Sequence, residues 1–98
     1  MTRLVLAPRA LRDMKRLADF LLENSPQAAR GTGDILLDGL VILEKHPLIG
    51  RVVEEGYREL VISRGRSGYL ALYRYDAESD RAVILAIRHQ REQGNADD

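Results

Sequence analysis

Arg88, His89, Gln90 and Arg91 follow directly on the apolar run AVILAI, and no other stretch of the 98 residues turns so abruptly from apolar to cationic. His89 is one of only two histidines, and it is the one with chemistry around it. Flanking arginines disfavour an imidazolium at His89, a setting that suits a neutral general base. Cleavage of a phosphodiester also needs a second proton-transfer group and cationic stabilisation of the phosphate in its transition state. Arg58, Arg64, Arg66 and Arg74 supply positive charge, and Glu59 or Glu44 a carboxylate. Nothing in the spacing sets the distances among them. Arginines at strand ends are more often solvated or ion-paired than catalytic, so the cluster reads as a docking surface before it reads as an active site.

Other chemistries find less support. With no cysteine, thiol catalysis, disulfides and thiolate metal ligands are excluded. His46 and His89 are isolated from one another and from any close ligand pair, so no metal or other cofactor is expected. The GRSG segment at Gly65–Gly68 is a turn between extended segments, not a phosphate-cradling loop that opens a helix. Arg9, Arg12, Lys15 and Arg16 form a basic tract, but Asp13 and Asp19 are interspersed and a solvated helix face is the simpler reading. Fifteen basic and fifteen acidic residues cancel, which weighs against non-specific binding to nucleic acid, since that normally needs a net basic domain. The N-terminal segment is broken by charges and is no signal peptide, and no apolar run is long enough to span a membrane. An intracellular, cytoplasmic protein is expected.

The elements that position these residues follow from periodicity. Leu4 and Leu6 alternate with Arg3 and Val5 in a short extended segment from Thr2 to Ala7. Pro8 suits the first turn of a helix, whose apolar face is Leu11, Met14, Leu17, Ala18, Leu21 and Leu22 and whose polar face carries Arg9, Arg12, Asp13, Lys15, Arg16, Asp19 and Glu23. Ser25 is a natural N-cap and Pro26 a first helical position, so a second helix is expected from Pro26 to Lys45, burying Ala29, Ile35 or Leu36, Leu40 and Leu43. The short link makes the two helices an antiparallel hairpin. Gly31, Gly33 and Gly39 weaken or kink that second helix, or else let another backbone approach closely. The segment HPLIGR leads out through a turn. After Gly56 three strands follow: YRELVIS, YLALYRY and AVILAIRH, with turns over Arg64–Gly68 and Asp76–Asp80.

The order β-α-α-β-β-β predicts an α+β fold, an antiparallel sheet with an N-terminal helical hairpin packed on one face. Strict alternation places Tyr69, Ala71, Tyr73 and Tyr75 on one side and Leu70, Leu72 and Arg74 on the other. It likewise separates Val83, Leu85 and Ile87 from Ala82, Ile84 and Ala86. Neither face is polar. Two helices cover one face only, so apolar surface is left for a partner.

The chain resembles the RelE/ParE superfamily of type II toxin–antitoxin toxins, and nearly the whole length takes part. The resemblance is carried by LVLAPRALRDMKRLADFLLENSPQAA, by L-x-x-HPLIGR from Leu43 to Arg51, by YRELVI, and by GYLALYRY followed by AVILAIRHQRE. Their order and spacing resemble ParE-like more than RelE-like chains. The resemblance implies one toxin domain over residues 1–93, with a polar, frayed tail at 94–98. It also implies a growth-inhibiting toxin that serves plasmid stabilisation and is neutralised by a cognate ParD-like antitoxin wrapped around it. The expected antitoxin contacts are Leu11, Met14, Leu17, Leu21, Leu36, Leu40, Tyr69 and Tyr73.

The target divides the superfamily. ParE-like toxins trap DNA gyrase on cleaved DNA, whereas RelE-like toxins cut mRNA in the ribosomal A site. For the second activity the matching residues are Arg58, Arg74 and His89. Lys15 and Lys45 are the only lysines and both lie in the helical half, no tyrosine follows Tyr75, and the net charge is zero. These features favour non-catalytic gyrase inhibition, with Arg88, His89 and Arg91 as the target-binding cluster, over the alternative of a ribosome-dependent mRNA endonuclease. No sequence-specific DNA binding by this chain is expected.

Overall fold

The computed structural model describes residues 1–24, 26–64 and 67–90, and side chains outside 20–30, 32 and 63–67. Strand β1 (Arg3–Leu6) leads into helices α1 (Pro8–Asn24) and α2 (Pro26–Leu40). A 3₁₀ turn (Val41–Glu44) then precedes strands β2 (Arg51–Glu54), β3 (Tyr57–Arg64), β4 (Ser67–Asp76) and β5 (Arg81–His89). Pro8 opens α1 as expected, and the Ala7 carbonyl accepts the Leu11 N–H at 3.1 Å. The proposed cap Ser25 and the expected core residue Ala29 lie outside the described residues and side chains, as do Arg64, Arg66, Arg91 and the tail.

The sheet order is β1-β5-β4-β3-β2. Its strands pair antiparallel except β1 with β5, which run parallel. The reason is geometric: three successive reversals from β2 leave β5 pointing the way β1 points. Strand β2, which the sequence reading did not anticipate, forms a hairpin with β3, and Gly56 adopts the positive φ of 83° that closes it. The second helix ends at Leu40, short of Lys45. It is continuous through Gly31 and Gly33. At Gly39 a side chain rather than a backbone comes close, since an added Cβ would meet Ile62 of β3 at 2.7 Å, whereas Gly33 faces open space.

The core lies between the hairpin of helices and one sheet face. Ala10, Leu17, Leu36, Leu40 and Leu43 pack there on Ile62, Tyr69, Ala71, Tyr73, Ala82, Ile84 and Ile87. Ile87 joins Ala82 and Ile84 because the β4–β5 register slips, with Leu72 opposite Ala86 and Tyr73 opposite Ile84. This bulge breaks the strict alternation expected for β5. Leu11, assigned to the buried face of α1, is instead 53% exposed, and Asp13, assigned to the solvent face, is buried.

Asp13 is buried for a reason. Pairing with β1 stops at Ile84, so the β5 edge beyond it has no strand neighbour. Asp13 Oδ2 accepts the Ile87 N–H at 2.9 Å, and Arg16 Nη2 reaches the Ile87 carbonyl at 3.4 Å. Two residues one helical turn apart thus stand in for a strand. The rest of the basic tract on α1 is laced with ion pairs, Lys15–Asp19 at 2.7 Å and Arg9–Asp13 at 3.8 Å, as a solvated face should be.

At the opposite end of β5, Asp80 Oδ1 accepts the Thr2 hydroxyl at 2.6 Å and the Tyr75 hydroxyl at 2.9 Å. These bonds hold the Asp80 carboxyl below its ordinary value. A lowered folded-state value means stability that is present above the unfolded pKa of about 3.9 and lost as pH falls through the folded value. Asp80→Asn, which suits the positive φ of 52° at this position, is expected to lower Tm at pH 7 and to flatten the fall of Tm below about pH 4. At the other end, Asp13→Ala strands a buried N–H and is expected to cost about 1–3 kcal/mol in urea unfolding. Asp13→Asn, which keeps an acceptor oxygen, should cost less.

Candidate functional site

Register decides which side chains share the face that the helices leave free. On β3, Glu59 and Val61 are opposite Leu72 and Leu70 of β4, which are in turn opposite Ala86 and Arg88 of β5. Arg74 and Val83 share that face, as do Arg3 and Arg81 across the β1–β5 pair. Arg51 of β2 is opposite Glu59. Five arginines, Arg3, Arg51, Arg74, Arg81 and Arg88, therefore project from one side of the sheet.

Glu59 organises two of them. Its Oε1 lies 2.9 Å from Arg51 Nη2 and its Oε2 3.7 Å from Arg88 Nη2. The Glu59 side chain is 13% exposed, whereas those of Arg51 and Arg88 are 77% and 37% exposed. A half-sunk carboxylate thus aims two guanidiniums outward across the width of the sheet. Guanidinium forks match phosphate oxygens, and their positive charge stabilises a pentacoordinate phosphate as it forms. A carboxylate between them is placed to accept a proton. Beside them, Gln90 folds over Gly68, where any added Cβ would collide with its side-chain amide.

The residues singled out from sequence fall on both faces. Arg88 points to the helix-free face, but its neighbour His89 points to the other and meets Tyr69 edge-on, ring centroids 5.3 Å apart. Period-two alternation separates adjacent residues on a strand, so the Arg88–His89 pair is divided and Arg91 is outside the described residues. Arg58 is opposite Tyr73, on the helix side, and its Nη1 donates to the carbonyls of Leu48 at 3.0 Å and Gly50 at 2.9 Å. It holds a loop. His89 is opposite Tyr69 and Arg58 opposite Tyr73, four residues and about 13 Å apart along β4. Arg74 is on the far side of the sheet. Arg58, Arg74 and His89 therefore do not converge. Arg51, Arg3 and Arg81 had not been singled out; alternation through β1 and the start of β5 would have found the last two.

The same loop is pinned from below. The Tyr73 hydroxyl donates to the Pro47 carbonyl and accepts the Gly50 N–H, both at 2.8 Å. Burial pushes the phenol up, against the pull of Gly50 N–H and the Arg58 guanidinium, so it stays neutral. Gly50 has no room for a side chain, since a Cβ would meet the Tyr73 ring at 2.6 Å. The loop carries Leu48 and Ile49 outward, where they join Ile42, Val52, Val53 and Tyr57 as exposed apolar residues. Exposed apolar surface is thus present as expected, with a group at the β2 edge; on the helix-free face Val61 is exposed and its partner Leu70 is buried. Of the expected antitoxin contacts, Leu17, Leu36, Leu40, Tyr69 and Tyr73 are buried in the chain's own core and offer no surface. Leu11 is exposed, Met14 is partly buried against the core, and the Leu21 side chain lies outside those described. Among the described residues no group of three His, Asp or Glu gathers as metal ligands.

Comparison with known proteins adds to this geometry. A family model described as the ParE toxin of type II toxin–antitoxin systems matches residues 4–94. Toxin RelE3 of Caulobacter vibrioides is 39% identical over 87 residues, covering 89% of this chain and 92% of that protein. Toxin RelE1 of the same organism is 38% identical over 85 residues, covering 87% and 89%. The crystal structure of the toxin–antitoxin complex RelBE2 from Mycobacterium tuberculosis superposes with a TM-score of 0.53 at 27% identity, covering 91% of this chain and 98% of that one.

The exposed partners of Glu59 limit what its ion pairs add to stability. Glu59→Ala is expected to change unfolding free energy by no more than about 1 kcal/mol, and a Glu59–Arg88 double-mutant cycle to give a coupling below about 1 kcal/mol. Chemical denaturation of the four proteins measures both.

Proposed function

The chain belongs to the ParE toxin family of type II toxin–antitoxin systems, and from that membership we propose that it is a cytoplasmic toxin that cleaves mRNA on the ribosome in the RelE manner. The observation that carries this reading is the set of arginines on the helix-free face, with Glu59 holding Arg51 and Arg88. Arg88 and Arg51 take the scissile phosphate, and Glu59 is the proton acceptor within their reach. The zero net charge of the chain is no obstacle, because Arg3, Arg51, Arg74, Arg81 and Arg88 share one face. The RelE names of two relatives near 40% identity support the same target.

Gyrase inhibition, the target favoured from sequence, is the second reading. It is supported by the ParE description of the family and by the failure of Arg58, Arg74 and His89 to converge. In both readings a cognate antitoxin keeps the toxin silent. The apolar edge formed by Ile42, Leu48, Ile49, Val52 and Val53 is the surface it would cover, since an exposed apolar patch of this kind suits a protein partner.

The decisive assay places purified toxin with translating ribosomes and a defined message, and in parallel with gyrase and supercoiled plasmid. Cleaved message with intact plasmid is expected, and Arg88→Ala should slow cleavage by about 10²-fold, as loss of one transition-state donor does. Intact message with gyrase-dependent plasmid cleavage would overturn the RNA reading in favour of the second.

A further inference from the structure

The corner of the helix-free face where β1 meets β5 carries charge that cleavage by the Arg51–Glu59–Arg88 cluster does not use. Arg3 and Arg81 are register partners in the parallel pair, so their side chains leave the same face about 4.8 Å apart. Both are exposed, and Arg74, also exposed, stands diagonal to Arg81 at about 7–8 Å. Like charges directly opposite one another oppose sheet formation. Among the described residues no hydrogen bond or ion pair engages the side chain of Arg3, and Arg74 acts on the Asp76 carboxylate without a direct hydrogen bond to it.

The carboxylates nearby are already engaged. Asp76, opposite Arg81 on this face, accepts the Ser79 hydroxyl at 2.8 Å, and that bond together with the nearby Arg74 guanidinium holds its carboxyl below the ordinary value, so one carboxylate stands against three arginines; Asp80 is bound by Thr2 and Tyr75. Arg81 is aimed by Ser79, its Nε donating to Ser79 Oγ at 2.9 Å. The backbone beneath is fixed, with the Arg3 N–H on the Asp80 carbonyl at 3.0 Å and the Thr2 N–H on the Glu44 carbonyl at 2.9 Å. Met1, Arg3, Ser79, Asp80 and Arg81 line a cleft of about 300 Å³ here.

We propose that this corner is a phosphodiester-binding subsite for single-stranded RNA, in which Arg3 and Arg81 clamp one phosphate and Arg74 meets a neighbouring one. Paired planar guanidiniums match phosphate oxygens. Apart from Met1, the exposed large apolar residues all lie on other elements, so the corner lacks the apolar centre that a protein interface would have. The subsite rests on the RNA reading and deepens it. It holds the message at a distance from the Arg51–Glu59–Arg88 cluster, so that binding and cleavage are made by different residues.

The test is fluorescence anisotropy of a labelled uridine oligonucleotide of roughly 12 nucleotides with the free toxin, from about 50 to about 200 mM salt. R3A/R81A is expected to bind about tenfold more weakly at the low end, with a log–log salt slope reduced by about 0.7, the value for one single-strand phosphate contact. R12A/K15A, which removes two exposed cations from α1, should bind as the parent does. Thermal melting of R3A/R81A should match or exceed that of the parent, since a like-charge pair is removed. Unchanged affinity in R3A/R81A would overturn the proposal, as would equal loss in R12A/K15A, no binding by the parent, or equally tight binding of a polyglutamate peptide. Oligonucleotide binding that depends on Arg3 and Arg81, with message left intact on ribosomes, would remove the cleavage reading and leave the subsite standing.

Discussion

A strand that outruns its neighbour leaves backbone N–H and C=O groups facing no partner, and such groups cannot be buried unpaired without cost. β5 outruns β1 beyond Ile84. The carboxylate of Asp13 takes the Ile87 N–H and Arg16 reaches its carbonyl. This requirement places α1 along the β5 edge. α2, joined to α1 by the single residue at position 25, must then lie over β3, where Gly39 admits the Ile62 side chain. Both helices are thereby committed to one side of the sheet.

That commitment divides the polar residues by role. On the helix side they turn inward: the Tyr73 hydroxyl and the Arg58 guanidinium both hold the segment from Pro47 to Gly50. On the other side the arginines turn outward, with Glu59 and Asp76 set among them. A chain with no net charge therefore presents five arginines on one face, and a group of exposed apolar residues lies beyond β2, next to Arg51. Arg51 and this apolar group are adjacent without overlapping. A partner seated on the apolar edge would lie beside the first of the guanidiniums.

Much of this was legible in the order of residues. The three-four spacing on α1, Pro8 and Pro26 at helix starts, and the alternation of Tyr69, Ala71 and Tyr73 report local backbone geometry, which is set within a few residues. The errors arose where a distant residue decides. Asp13 looks like a solvent residue until the unpaired Ile87 N–H is known, and Leu11 is exposed because that same turn of α1 faces the β5 edge. The bulge near Leu85 moved Ile87 across the sheet, which no count along the strand reveals. The antitoxin contacts assigned to Leu36, Leu40 and Tyr73 mistook the chain's own core for a docking surface, since apolarity alone does not say what covers a side chain.

The sequence by itself determined the fold class, the helical hairpin, the first strand and three of the four after it, and the presence of arginines at strand positions, because periodicity and proline placement are properties of neighbouring residues. Only the tertiary structure decided which arginines act together. Strand order and register brought Arg51 to Glu59 and Arg3 to Arg81 from distant parts of the chain, and pleat alternation sent Arg88 and His89 to opposite faces. A site made across strands depends on pairing between segments far apart in the chain, and pairing is settled by which backbone groups find partners when the whole sheet closes.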